Sequence, residues 1–193
     1  MIRGVVAASH RNDASALSPP GVGAYWNEQG GYYAGTISYS DGRTFHLVVA
    51  EKAAELANQN YGYYDTLVGA ASHDDGAFNQ EAVTALGLTG GGSFPPTAFK
   101  DAADWTKDEH SDFYLPSLDE LNLIYTNLAP AKPGQVALFA SGGNQSFVQN
   151  YYWSSTEVST TRSQFVRFTD GAIGDHWKYQ NFYARPIRRV AAS

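Results

Sequence analysis

The clearest alternation in the chain runs over residues 44–50, where Phe45, Leu47 and Val49 take one face and His46 and Val48 the other. A second β-rich run covers 32–39, and Asp41-Gly42 lies between the two. Gly accepts positive φ and Asp bonds its own backbone, so this pair predicts a tight hairpin. Another alternating run points Val166 and Phe168 toward a core and Phe165 and Arg167 away from it, with Asp170-Gly171 predicting a reversal after it. Helical spacing is strongest over 117–128. There Ser117 and Glu120 form a capping box, Asp119 and Glu120 suit the positive end of the helix dipole, and Leu121, Ile124, Tyr125 and Leu128 make one apolar stripe. Pro130 and Pro133 stop that helix. Two shorter helices are expected upstream. One is capped by Asn79 and runs through Leu86 to Gly87; the other runs from Pro95-Pro96-Thr97 to about Trp105, with Phe99, Ala102 and Ala103 inward.

Between these elements the pattern weakens. Residues 1–30 read as an extended arm, a packing or oligomerisation segment with a short strand from Ile2 to Ala7, broken by Ser18-Pro19-Pro20-Gly21. It packs on its own domain or on a neighbouring subunit. Residues 31–193 read as one domain. Residues 51–76 have no period and are expected as an irregular excursion, and 174–182 as an irregular loop. Strands at both ends with helices between them predict an α+β domain, its helices on one side of an antiparallel sheet.

With 193 residues the chain can bury a sizeable core, and 13 Tyr, 10 Phe, 4 Trp and 19 Gly suggest a loop-rich fold held by aromatic packing. The formal charge of −6 argues against nucleic acid, which needs clustered positive charge. The one basic cluster, Arg185, Arg188 and Arg189, is expected to serve the closing strand. The absence of cysteine excludes disulfides, thiolate metal sites and cysteine nucleophiles. No stretch suits a signal peptide or a membrane span, so no membrane insertion is expected and synthesis in the cytoplasm fits. The five histidines, at 10, 46, 73, 110 and 176, stand apart and form no metalloprotease or nucleophile-elbow pattern. The chain therefore reads as non-enzymatic, without metal or cofactor. His73-Asp74-Asp75-Gly76 lacks the repeated oxygen spacing of a calcium loop and is expected as a solvated turn.

Four stretches resemble one family. Ser111-Asp112-Phe113-Tyr114-Leu115-Pro116-Ser117-Leu118-Asp119-Glu120-Leu121 is similar to the "DWYLPS-x-x-EL" signature of C-type-lectin-like domains of the Lcl C-terminal family, with Phe113 where that family has Trp. Tyr152-Trp153-Ser154-Ser155-Thr156-Glu157 resembles its "YWSSTE", Val166-x-Phe168-x-x-Gly171 its next strand, and Ala184-Arg185-Pro186-Ile187-Arg188 its closing "VRPVR". Gly30 to Gly35, with 47–50, resembles the opening hairpin of phage tail-fibre members. The resemblance implies a C-type lectin fold of antiparallel sheets, with paired terminal strands, two to three helices on one side and a ligand face in the final third. It also implies a receptor-binding, host-adhesion protein at the tip of a bacteriophage tail fibre. That places the chain in the virion after synthesis in host cytoplasm, commonly as a homotrimer with other tail-fibre subunits, facing a bacterial cell-surface protein or glycan. A structural fibre-capping or trimerisation module is the alternative. The sugar-site triplets of calcium-dependent lectins are absent, and related formylglycine-generating oxidases need cysteines that this chain lacks.

The terminal forty residues divide on this reading. Tyr152 to Thr156, Val166, Phe168 and Ala184 to Arg188 are scaffold, the hydroxyls of Ser154, Ser155 and Thr156 satisfying buried backbone groups. Arg162, Gln164, Phe165, Arg167, Asp175, His176, Trp177, Lys178, Tyr179 and Gln180 are the expected ligand-binding surface, because Tyr, Trp and Arg combine contact area with a polar handle. Of these, His176, Lys178, Tyr179 and Gln180 are expected to be exposed.

Overall fold

The computed structural model describes residues 18–129 and 137–192. The predicted strand at 2–7, His10, and the stop at Pro130 and Pro133 lie outside the described residues. In chain order the elements are β1 (Tyr25–Trp26), β2 (Gly31–Ser38), β3 (Thr44–Val49), β4 (Leu56–Gln59), α1 (Gly76–Leu86), α2 (Thr97–Ala103), α3 (Leu118–Leu128), β5 (Tyr151–Glu157), β6 (Arg162–Arg167), β7 (Ile173–Trp177), β8 (Phe182–Ala184) and β9 (Ile187–Ala191). The fold is α+β.

The Asp41-Gly42 turn forms as its chemistry requires: Gly42 has φ 88° and the Asp41 carboxylate accepts the Arg43 amide at 2.9 Å. It closes the β2–β3 hairpin in a sheet ordered β1-β2-β3-β9, in which the last strand pairs antiparallel with β3 from Phe45↔Ala191 to Val49↔Ile187. The described end of the arm is already in this sheet, since β1 pairs with β2. The second sheet is ordered β4-β8-β5-β6-β7. It corrects the all-antiparallel expectation, because β8 returns on the far side of β5 and runs parallel to it, Tyr152 opposite Tyr183.

Period-two geometry sends adjacent residues of β5 to opposite faces, and this builds two cores. Tyr152, Val166 and Phe168 pack with Leu47, Val49 and Ile187 of the first sheet and with Leu121, Ile124 and Leu128 of α3. Trp153, Phe182 and Ala184 pack instead with Val83 of α1 and with Ala98, Phe99 and Ala102 of α2. The helices therefore cover both faces of the second sheet, where one side was expected.

Local differences have similar causes. Helix α1 is capped by Asp75, which accepts the Phe78 amide at 2.8 Å, and not by Asn79. Asn79 is fully buried and bonds Ser72 and Ser155, so the helix begins one turn earlier with a polar residue facing in. Asp75 is only 6% exposed and also pairs with Arg189 at 2.6 Å and Arg43 at 2.8 Å, which replaces the expected solvated turn at 73–76. Helix α2 stops at Ala103 and buries Ala98 rather than Ala103. The excursion at 51–76 contains β4, whose four residues pair with β8 through an irregular register and so carry no alternation.

The capping box of α3 is present, and its Glu120 does more than cap. The fully buried carboxylate accepts the amides of Ser117 (2.8 Å) and Gly76 (3.2 Å) and the hydroxyl of Tyr114 (2.8 Å), and Tyr39 also donates to it. Burial raises the Glu120 carboxyl above its ordinary value, against the pull of these donors. With the folded pKa raised, its share of stability is complete below the unfolded value of about 4.3 and is lost as pH rises through the folded one. Glu120→Ala orphans two phenols and two amides and should cost about 3 kcal/mol or more in urea unfolding. Glu120→Gln should gain on the wild type as pH rises from about 4 to about 7. A stability gap that does not move with pH contradicts this account.

Candidate functional site

The expected binding residues sit on the β6–β7 hairpin and the turn after it. Residues 174–177 are not loop but most of β7, and Phe182 already begins β8, leaving only 178–181 between them. No period shows in β7 because it is an edge strand whose residues are all half-buried or exposed, so neither face selects for apolar side chains.

The strand register separates these residues. Arg162 stands opposite Trp177 and Gln164 opposite Asp175, on one face; Ser163 opposes His176 and Phe165 opposes Gly174, on the other. On that second face Phe165 packs edge-on to Tyr151 (4.9 Å) and Phe182 (5.6 Å), and His176 edge-on to Phe182 at 5.6 Å. Arg167 lies 5.8 Å over the Tyr151 ring and pairs with Asp170 at 2.5 Å. Phe165, Arg167 and His176 thus continue the packing around Tyr151 and Phe182, away from Trp177.

The first face carries the denser constellation. Arg162 pairs with Asp175 and stacks 4.8 Å over Trp177, whose ring lies parallel to that of Tyr179 (5° between planes, centroids 6.4 Å apart). Tyr179 meets Tyr64 at 5.1 Å and Phe94 at 5.5 Å, and Tyr64 also meets Phe94 and Trp177. The result is a continuous half-exposed column, Arg162–Trp177–Tyr179–Tyr64/Phe94, drawn from four segments. Gln164 sits at its inner end, with its backbone oxygen accepting Ser154 Oγ at 3.0 Å; Gln180 donates its amide to the Trp177 carbonyl at 2.9 Å.

Lys178 corrects the expectation of exposure. Its side chain is 0% exposed, and Nζ donates to Glu157 Oε1 (2.5 Å) and to the Thr66 carbonyl (2.8 Å). Burial pushes its ammonium below the ordinary lysine value while the Glu157 carboxylate holds it up. Glu157 also accepts the amides of Val68 (2.9 Å) and Gly69 (3.1 Å). The pair thereby pins loop 62–70 against the end of β7. That loop is conformationally costly: Gly62, Tyr63 and Asp65 have φ of 90°, 51° and 67°, a region a bulky Tyr rarely enters. Tyr63 is held there at both ends, its amide donating to the Phe94 carbonyl (3.1 Å) and its hydroxyl to the last carbonyls of α1, Leu86 (2.9 Å) and Gly87 (2.5 Å). Tyr64, between the two strained residues, is what this loop delivers to the column.

The Trp177 end of β7's free edge is satisfied from within. Lys178 N bonds Thr161 O and Arg167 N bonds Ala172 O, so the alternate residues 173, 175 and 177 turn their backbone outward. Trp177 N donates to His176 Nδ1 (2.9 Å), Trp177 O accepts from Gln180, and Asp175 O accepts Arg162 Nη2 (3.0 Å). Recognition here would use side chains rather than an added strand.

A cleft of about 510 Å³ elsewhere is lined by Gly42, Arg43, Thr44, Phe45, Ala191 and Ala192. Its guanidinium is already paired with Asp41 and Asp75 and stacked on Tyr39 and Phe45. Among the described residues no group of His, Asp and Glu could hold a metal ion. The hydroxyls of β5 are spent on the scaffold: Ser154 on Gln164 O, Thr156 on Ser72 O (2.9 Å), while the Trp153 indole donates to Gln59 O (2.9 Å). No protein-family model matches this chain, and no curated protein matches it.

Tyr64, Phe94 and Glu157 were not among the expected site residues. The one local signal was the tyrosine density around Gly62, with Tyr61, Tyr63 and Tyr64 in four positions. Lys178→Met leaves Glu157 buried without its cation and should destabilise the fold by about 3–5 kcal/mol. In the same variant the Val68 and Gly69 amides should exchange faster with deuterium, and adding Glu157→Gln should restore part of the loss. Unchanged exchange at those two amides would show that the pair does not hold the loop.

Proposed function

We propose that this chain is a non-enzymatic receptor-binding domain of C-type lectin fold, borne at the tip of a bacteriophage tail fibre as a homotrimer with other fibre subunits. On this reading it is made in the host cytoplasm, resides in the virion, and grips a bacterial cell-surface protein or glycan through the β7 end of its second sheet.

The observation that carries the reading is the Arg162–Trp177–Tyr179–Tyr64/Phe94 column. Tyr, Trp and Arg dominate the energetics of recognition surfaces because they give large contact area at little rotamer cost. Here each is already immobilised by a neighbour, so little ordering entropy remains to be lost on binding. Strained backbone beside the column, at 62–65, is the kind of feature that concentrates at binding sites. The family-like motifs at 111–121, 152–157 and 184–188 fall mostly on buried scaffold, while the terminal strands among the described residues share the first sheet without pairing as the resemblance implies: β9 pairs with β3 and β1 lies at the opposite edge.

Fibres carrying Trp177→Ala with Tyr179→Ala should adsorb to host cells about ten-fold more slowly or worse. Arg167→Ala with His176→Ala, on the opposite face, should change adsorption little. Normal adsorption by a folded Trp177/Tyr179 double variant would sink the proposal.

A further inference from the structure

We infer that the partner at this face is a protein, with an apolar centre and a basic rim; the inference rests on the recognition role proposed above. The first ground is what surrounds the column. Leu67 is 64% exposed and Val158 50% exposed. Both adjoin the buried ion pair: Leu67 lies between Thr66 and Val68, which bond Lys178 and Glu157 respectively, and Val158 follows Glu157. Leu67 is three residues from Tyr64 on the same loop and Val158 N bonds the backbone of Arg162, so both exposed aliphatics belong to segments that feed the column. A hydroxylated ligand gains nothing from exposed Leu and Val, whereas apolar side chains of a protein bury them.

The second ground is the state of the rings. A pyranose stacks on an open aromatic face with hydrogen-bonding groups around it. Trp177 already has a guanidinium 4.8 Å over it and Tyr179 parallel to it, and Tyr179 is closed by Tyr64 and Phe94. The rings are thus packed on one another rather than left as an open platform, as aromatic anchors at the centre of protein interfaces are.

The third ground is charge. Every Lys and Arg among the described residues lies within 4.0 Å of a carboxylate. The exposed Asp65, between Tyr64 and Leu67 on the same loop, has no cationic partner among the described residues. The unpaired charge on this loop is thus negative, in a chain of net charge −6, so complementarity asks for cations on the partner. A second copy would bring acid against acid.

Two synthetic peptides sharing one Leu/Phe-rich centre, flanked by lysines in one and by glutamates in the other, test this by fluorescence anisotropy. The lysine-flanked peptide should bind at least about ten-fold tighter, with the advantage shrinking as salt rises. Leu67→Asp and Tyr179→Ala should each weaken it about ten-fold, and Asp65→Asn should narrow the preference. Leu67→Asp changes an exposed side chain, so its melting temperature should match the wild type. Equal binding of both peptides, or binding of neither, overturns the inference. So does a neutral-glycan array signal abolished by Trp177→Ala, or self-association in sedimentation abolished by Leu67→Asp. If the Trp177/Tyr179 variant fails to adsorb while the peptides do not discriminate, recognition stands and the partner chemistry falls; if adsorption is normal, the recognition role itself falls.

Discussion

A carboxylate without water must have its lone pairs filled, and the frame of this protein is set by meeting that demand at Glu120. Its donors come from places far apart in the chain: Tyr39 just past β2, Gly76 at the start of α1, Tyr114 on the strap that bridges Ile187 of β9, and Ser117 at the cap of α3. Apolar contacts alone would let these segments slide over one another, since hydrophobic burial is non-directional. Hydrogen bonds to one buried charge do not permit sliding, because each donor lost leaves part of the desolvation cost uncompensated. The first sheet and the start of α1 are thereby fixed relative to α3, and Tyr152, Val166 and Phe168 of the second sheet pack against them.

The same device recurs along the closing strand and at the site. Arg185 is buried and donates to the carbonyls of Ala50 (3.1 Å) and Gln145 (2.9 Å), and Arg188 grips Asp112 at 2.7 Å. Arg189 reaches Asp75 and so ties β9 to the cap of α1. The basic cluster of the sequence is consumed by the scaffold, each of its arginines against a different carboxylate. Lys178 and Glu157 do for loop 62–70 what Glu120 does for the frame.

Features that depend on local chemistry could be read from the sequence. The Asp41-Gly42 hairpin, the capping box of α3, the inward Val166 and Phe168 and the scaffold role of 152–156 each follow from residues within one turn or one strand of each other. Features that depend on a distant partner could not. Nothing near Glu120 announces that Tyr39 will reach it, and nothing near Lys178 announces Glu157. Asn79 has the chemistry of a cap, but Ser155, seventy-six positions on, claims its side chain. The expected surface is divided for another reason: its residues were gathered by type, while strand alternation places Arg167 and His176 on the face away from Trp177.

The burial of Lys178, against the expected exposure, orders the site. Trp177 ends β7 and Tyr179 sits in the turn that Gln180 N closes on Trp177 O, where the two rings lie parallel and the residue between them goes elsewhere. Lys178 goes inward, and its charge finds Glu157 and the Thr66 carbonyl there. An apolar residue at 178 could also be buried, but it would not hold the strained loop that brings Tyr64 to the rings, since only a charge needs those oxygens. The lysine that looked like part of the binding surface is the reason the surface is ordered. With it buried, Trp177 and Tyr179 lie parallel on either side of it in the chain, and the loop it anchors completes the column with Tyr64.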